Sequence, residues 1–251
     1  MSVEFLELPA RQAAVVNDSE HRPWPLPERP WSNAQTWLDL AFLHWRVDEA
    51  ELRRLVPGSV ELETYDGAAW LSITPFLLHG FRLRGLPPLP RISTFPELNV
   101  RTYVRHDDRP GIWFFTLDAA STVAVEGAKK LYRLPYSRAR MRCERIGDFV
   151  HFESARPGAT FSGRYRGEGP LFHAEPESVE EFLTERYCLY TEDGGRLYRA
   201  EIHHPLWDLQ RGDAVIDLNT VAPLPLLDEE PNVLFSARQD VVVWGLEEVS
   251  L

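Results

Sequence analysis

The chain has 251 residues, of which 44% are hydrophobic, and its 27 basic and 38 acidic residues leave a formal net charge of −11. This composition supports a buried core and excludes intrinsic disorder, and the acidic balance argues against nucleic acid or an anionic membrane as the main partner. No apolar run approaches the roughly 18 residues of a membrane span, and residues 1–20 lack the apolar segment of a signal peptide. We therefore expect a cytoplasmic protein.

Residues 1–30 are predicted to form an extended, proline-rich N-terminal arm. Four prolines fall within residues 21–30, and each proline fixes φ and removes a backbone donor, which disfavours regular structure. Residues 31–251 are predicted to form a single domain, because the later proline-rich stretches at 86–96 and 222–231 do not separate segments of different composition.

Most of the remaining chain alternates apolar and polar residues between short turn signals, which is typical of antiparallel strands. Strands are predicted over residues 68–74, 101–105, 112–117, 138–145, 149–154, 160–166, 196–203 and 231–244. Helices are predicted over residues 48–56, 121–131 and 176–183; the first of them has an aspartate at its start and a proline after its end. This pattern predicts an α+β fold that is mainly antiparallel β.

The predicted strand around Asn99 carries the most informative polar residues. Alternate side chains of a strand share a face, which groups four of them: Glu97, Asn99, Arg101 and Tyr103. Alternation alone favours a face in water, because most antiparallel sheets have one solvated face. The residue types shift this balance in part towards the alternative, a wall of an internal cavity, because together they suit recognition of a small polar ligand. Arg101 would then bind an anion while Asn99 and Tyr103 orient it.

Lys129 and Lys130 are the second candidate site. An adjacent ammonium group lowers the pKa of a lysine and can make it a nucleophile that forms a Schiff base. The alternative is an ordinary solvated helix surface, on which Glu126 and Lys130 form a stabilising pair one turn apart.

The histidines do not form a metal-binding pattern, since HxH, HExxH and Cys/His spacings are absent from the sequence. The adjacent His203 and His204 would point to opposite faces of a strand. His204 could place an imidazole beside the Trp207 indole at a pocket wall, or it could be a hydrogen-bonded histidine packed beside a core tryptophan. No metal and no cofactor are predicted, because Rossmann, phosphate-binding and nucleophile-elbow motifs are also missing.

The strand around Asn99 and several other segments of the sequence resemble the YqjF-like family of uncharacterised bacterial proteins. The similarity runs from about residue 37 to residue 245 and includes FPELNVRTYV at 95–104. The other matching segments are 42–45, 65–71, 114–119, 134–136, 186–190 and 204–207. That family is similar in fold to acetoacetate decarboxylase, and the resemblance therefore implies a β-barrel or strongly curved antiparallel sheet around a pocket, flanked by a few helices.

The resemblance allows two placements of the decarboxylase's lysine pair, of which the first lysine is catalytic. One placement keeps Lys129 and Lys130 but puts Ala128 where the decarboxylase has a proline. The other aligns that proline with Pro135 and preserves more of the spacing. It puts Tyr136 in the catalytic lysine's position, where a phenol cannot form an imine. We prefer the second placement, which argues against acetoacetate decarboxylation.

The sequence thus predicts a protein that binds a small polar or carboxylate-bearing metabolite in an internal barrel pocket. The predicted ligand-binding residues are Asn99, Arg101, Tyr103, Tyr136, His204 and Trp207. One alternative is an enzyme that acts on a keto acid or related carbonyl compound, and its candidate catalytic groups are Tyr136, Lys129, Lys130, Glu97 and His204. Another is a protein-interaction subunit that uses the Trp24 arm. Homo-oligomer formation is left open.

Overall fold

A computed structural model describes residues 3–90, 92–228 and 230–249, without the side chains of residues 3–6, 123–124 and 128–130. The helices are α1 Val3–Ala14, α2 Glu49–Leu55, α3 Thr122–Tyr132 and α4 Val179–Thr184, with a 3₁₀ turn at Val15–Asn17. The first strands are β1 Asn33–Val47, β2 Glu61–Leu62, β3 Thr64–Tyr65, β4 Ala68–Leu83, β5 Phe95–His106, β6 Arg109–Ala119 and β7 Tyr136–Arg138. The later strands are β8 Arg140–Ile146, β9 Phe149–Arg156, β10 Ala159–Phe172, β11 Cys188–Asp193, β12 Arg196–His203, β13 Leu209–Asn219, β14 Asn232–Val243 and β15 Glu247–Glu248.

All 15 strands of the described chain belong to one strongly curved, mostly antiparallel sheet. Its main path runs β15-β12-β11-β6-β5-β4-β1-β14-β13-β10-β9-β8. An additional pairing of β12 with β14, at Ile202–Val243 and His203–Val242, closes a circuit of seven strands. The predicted fold class, mainly antiparallel β with a few helices, is confirmed.

The central strand β5 is covered on both faces. Leu98 and Val100 on one face are fully buried in a cluster that includes Phe152 of β9. Glu97 and Asn99 on the opposite face are less than a tenth exposed. Alternation alone favours a polar face of β5 in contact with water. In the structure this polar face points into the protein instead.

Two of the helices begin with a side-chain cap: Asp48, which the sequence indicates, and Ser178, two residues after the predicted start of its helix at residue 176. The carboxylate of Asp48 accepts a hydrogen bond from the backbone N–H of Glu51 at 2.8 Å, and the hydroxyl of Ser178 accepts one from Glu181 at 3.2 Å. Each contact satisfies a backbone donor that the first turn of a helix leaves free.

The N-terminal segment differs from the expected extended arm, because residues 3–14 form α1. Leu8 and Gln12 of this helix are fully buried against the sheet, and the Gln12 amide donates to Thr36 and to the carbonyl of Gly80. Packing of these two side chains offsets the low helix propensity of the internal Pro9. The division between an arm and a domain at residue 30 stays a prediction.

The proline-rich part of the arm packs on its own chain. The Arg22 guanidinium lies 2.9 Å from the Glu201 carboxylate, and the Trp24 indole N–H donates to the same carboxylate at 2.7 Å. The aromatic group that the protein-interaction alternative relies on is thus already engaged within the chain. In the described part of the chain, every helix falls short of the length and hydrophobicity that crossing a membrane requires.

Candidate functional site

A cavity of about 430 Å³ opens between the sheet, helix α3 and the loop that joins β4 to β5. Its walls come mainly from β1, β4, β5 and β6, and further side chains come from β11, β12 and β14. Pockets for small organic ligands usually measure about 300–1,000 Å³ and combine an apolar lining with a few polar groups. This cavity meets both criteria.

Four of the residues predicted from sequence line this one cavity: Glu97, Asn99, Arg101 and Tyr136. The first three point the same way from β5, because they alternate along a regular stretch of strand. Tyr136 reaches them from β7, which pairs with β6 in parallel at Leu117–Tyr136. Its hydroxyl donates to the two Glu97 carboxyl oxygens at 3.2 and 3.3 Å. Their role in ligand binding stays a prediction.

The Glu97 carboxyl group is held in its protonated form near neutral pH. Burial raises its pKa from 4.5 to about 8, and the hydrogen bonds from Tyr136 and Asn99 offset only part of this effect. Burial and the neighbouring Glu97 also raise the pKa of the Tyr136 phenol well above its ordinary value. At pH 7 both groups are therefore mostly neutral, and neither compensates a positive charge in the cavity.

Arg101 is a buried cation that lacks a counterion within the described part of the chain. Arg101 is only 6% exposed. Among the described residues, no carboxylate lies within ion-pair distance of its guanidinium group. One guanidinium nitrogen makes a long contact of 3.4 Å with the Leu183 carbonyl, and Nε has no hydrogen-bond partner. Burial lowers the pKa of Arg101 from 12.5, yet arginine remains charged in proteins.

Of the other buried arginines, two pair with a carboxylate, whereas Arg82, which also lines the cavity, donates to Gln12 and to the Pro9 carbonyl. Arg22 pairs with Glu201 at 2.9 Å, and Arg186 pairs with Glu63 at 2.6 Å. Since a buried charge is costly unless it is paired, Arg101 has the environment of a group that awaits an anion.

The structure places Tyr103 outside the cavity lining, although it shares a face with Arg101. The short helix α4 covers this end of β5, and the Tyr103 hydroxyl donates to the Leu183 carbonyl at 3.0 Å. Its ring packs against Phe182, with ring centroids 5.0 Å apart. The alternating pattern predicts the face correctly, but it cannot show where along the strand the cavity ends.

His204 and Trp207 also lie outside the lining, one layer behind it. The Trp207 ring packs edge-on against Phe42, which does line the cavity, with centroids 4.9 Å apart. The His204 ring lies between Tyr187 and Trp207, and burial lowers its pKa to about 3. Of the two alternatives for His204, the structure has the histidine that packs beside a core tryptophan. Its imidazole ring is neutral at physiological pH.

The side chains of Lys129 and Lys130 lie outside the described residues, so the lysine alternative stays a prediction. Their helix α3 contributes Gly127 and Leu131 to the cavity lining. Among the described residues, no group of three or more His, Cys, Asp or Glu side chains could hold a metal ion.

Sequence reasoning missed the apolar part of the site. Trp37 and Phe42 of β1 and Phe76 of β4 form much of the wall. The proline-rich loop after β4 adds Leu86 and Leu89. The loop itself is recognisable from its prolines, but its apolar residues carry no signal that they face a ligand cavity.

Solved structures of two proteins share this fold, and one of them is complexed with pyruvate. Acetoacetate decarboxylase from Legionella pneumophila superposes with a TM-score of 0.64 at 12% identity, over 94% of this chain and 95% of that one. The enduracididine biosynthesis enzyme MppR complexed with pyruvate gives a TM-score of 0.61 at 13% identity, over 91% and 93%. At these identities the similarity establishes the fold alone.

Sequence comparison establishes the family. Residues 34–240 match the DUF2071 family, described as an uncharacterised conserved protein. The uncharacterised protein YqjF of Bacillus subtilis (strain 168) is 43% identical over 231 residues, which cover 90% of this chain and 96% of that protein. The resemblance seen in the sequence is thus confirmed, and the chain belongs to the DUF2071 family.

Proposed function

We propose that this protein binds a small carboxylate-bearing metabolite in the barrel-like cavity, with Arg101 as the anion anchor. The observation that carries the proposal is the buried Arg101 guanidinium on the cavity wall, which has no carboxylate partner among the described residues. A ligand carboxylate would compensate this charge and accept charge-assisted hydrogen bonds from it, which are about twice as strong as neutral ones.

The neighbouring groups support a negatively charged ligand. Glu97 is mostly protonated at pH 7, since its pKa is about 8, and the polar end of the cavity therefore keeps a net positive charge. The side-chain oxygen of Asn99 is buried without a hydrogen-bond partner. An unpaired buried polar atom costs stability unless a ligand satisfies it, so Asn99 is a second group placed to orient the bound molecule.

A comparison of matched charged and neutral ligands tests this proposal. Calorimetric titration with butyrate, pyruvate and acetoacetate is expected to show binding, and butyramide is expected to bind about tenfold more weakly because it cannot pair with Arg101. Equal affinity for butyrate and butyramide would remove the basis of the proposal.

A second candidate function is catalysis on a keto acid or related carbonyl compound, and the Glu97–Tyr136 contact favours it. A carboxyl group with a pKa of about 8 is suited to proton transfer near neutral pH. With the ligand carboxylate on Arg101, ionised Glu97 would accept a proton from the carbon next to the carbonyl. The C–H electron pair would pass to the carbonyl oxygen to give an enolate, and the Tyr136 hydroxyl would donate a hydrogen bond to that oxygen. The structural neighbours named for acetoacetate and pyruvate support a carbonyl substrate.

Exchange of the methyl protons of pyruvate for deuterium, followed by NMR, measures this proton transfer. We expect the rate to rise with pH to a plateau above about 8, as Glu97 loses its proton, and to fall by about 100-fold or more in Glu97→Gln, the usual contribution of a general base. An unchanged rate in Glu97→Gln would exclude Glu97 as the base. Borohydride trapping of an adduct on Lys129 or Lys130 would instead support the lysine alternative.

A further inference from the structure

The polar groups that a ligand could use are deep in the cavity and close together on β5. Glu97, Asn99 and Arg101 are 3%, 8% and 6% exposed. Two polar side chains elsewhere on the wall are engaged within the protein: the Asn33 amide donates to the Tyr132 hydroxyl, and Arg82 donates to Gln12 and to the Pro9 carbonyl. Among the described lining residues, the buried side-chain atoms without a hydrogen-bond partner belong to Asn99 and Arg101, at the deep end.

Between the deep end and solvent, the walls are apolar. Two aromatic rings from β1 and β4, those of Trp37 and Phe76, line this part of the cavity, whereas the Phe42 ring lies at the deep end, with its centroid 5.2 Å from the Arg101 guanidinium carbon. Trp37 and Phe76 pack against each other with ring centroids 5.7 Å apart. A surface of this kind gains free energy by contact with hydrocarbon and loses it by contact with trapped water.

The mouth of the cavity is also apolar. Five of the lining residues are large hydrophobic side chains between 42% and 58% exposed, and they surround the opening: Leu83, Leu86, Leu89, Ile92 and Leu131. They come from the end of β4, from the loop that follows it and from α3 across the opening. Contiguous exposed apolar side chains are uncommon in monomeric proteins and mark ligand-binding grooves and interaction surfaces.

We infer that the ligand class is a monocarboxylic acid with an extended hydrocarbon body. Its carboxylate binds Arg101, its hydrocarbon chain lies along Trp37 and Phe76, and its far end contacts the leucines of the mouth. The placement of the carboxylate on Arg101 rests on the proposed function. The placement of the hydrocarbon body rests on the apolar wall and the apolar mouth of the cavity. A compact acid such as pyruvate would contact only the deep end and leave the apolar wall to water.

A series of straight-chain acids tests the inference by calorimetry: acetate, butyrate, hexanoate, octanoate and decanoate. The dissociation constant is expected to fall about fourfold with each added methylene group while the chain lies inside the cavity. The primary alcohols of matching length are expected to bind about tenfold more weakly than the acids.

Leu89→Asp tests the path to the mouth, since Leu89 is 58% exposed and its replacement leaves the core intact. It should weaken decanoate binding several-fold and leave butyrate binding unchanged. Leu171→Asp is the matched control, because Leu171 is 62% exposed and lies outside the cavity lining. An equal effect of the two variants on decanoate would overturn the inference.

The remaining outcomes separate the two proposals. Equal affinity for acetate and octanoate, both preferred over the alcohols, would overturn the hydrocarbon-body inference and leave Arg101 as an anion anchor. A chain-length dependence with equal affinity for octanoate and octanol would overturn the proposed function.

Discussion

Arg101→Met is expected to weaken carboxylate binding strongly and, at the same time, to stabilise the ligand-free protein. Methionine fills a similar volume without a charge, and replacing buried charges by apolar side chains stabilises proteins by about 1–4 kcal/mol. Removing the ligand's charged partner should weaken binding about thirtyfold or more, from a loss of at least about 2 kcal/mol. Urea denaturation and calorimetric titration with octanoate measure the two effects.

Arg186→Met is the matched control for stability. Arg186 is as buried as Arg101, but it pairs with the Glu63 carboxylate at 2.6 Å. Its loss breaks a charge-assisted hydrogen bond and should lower the free energy of unfolding by about 2 kcal/mol. Equal destabilisation by the two substitutions would show that Arg101 is already compensated in the free protein, contrary to the proposal.

Glu97→Gln is expected to make the free energy of unfolding less dependent on pH between about 4.5 and 8. Because the folded protein holds this proton up to a pKa of about 8, against 4.5 ordinarily, the unfolded chain binds fewer protons between these values. The free energy of unfolding of the wild type therefore falls as pH rises from about 4.5 to about 8. At about 1.4 kcal/mol per pKa unit, the full effect is on the order of 5 kcal/mol.

Urea denaturation at a series of pH values from 5 to about 9 measures the difference between wild type and Glu97→Gln. The difference should grow in favour of the variant up to about pH 8 and then stay constant. Glu180→Gln should destabilise the protein instead. Burial, the largest single influence, raises the pKa of Glu180, but its hydrogen bonds and the charge of Arg211 together outweigh burial and lower the pKa. Parallel curves for wild type and Glu97→Gln would contradict a buried, protonated Glu97.

Local sequence signals predicted the helices and most strands of the domain. The cap Asp48 marks a helix that forms where expected, and the helix predicted over 176–183 forms over Val179–Thr184. The long strand β1 was missed because it is buried on both faces over much of its length, and a continuous apolar run lacks the alternation that identifies a strand. Helix α1 was missed because its packing partners, Thr36 and Gly80, are distant in sequence.

The candidate site was predictable only in its polar part. Alternation grouped Glu97, Asn99 and Arg101, which share one cavity in the structure. The direction of that face depends on α3 and on the loop after β4, which approach from elsewhere in the chain. Likewise, only the fold shows that α4 separates Tyr103 from the cavity. Long-range packing of this kind leaves no pattern within a single strand.

The most direct test of the central claim is an NMR measurement of the Arg101 side chain. Its Nε–H resonance can be identified by its absence from the spectrum of Arg101→Met. In the free protein this group has no hydrogen-bond partner. Addition of octanoate is expected to shift the resonance strongly downfield, as a charge-assisted hydrogen bond forms, whereas octanol should not. An unchanged Arg101 resonance at saturating octanoate would contradict the assignment of Arg101 as the anion anchor.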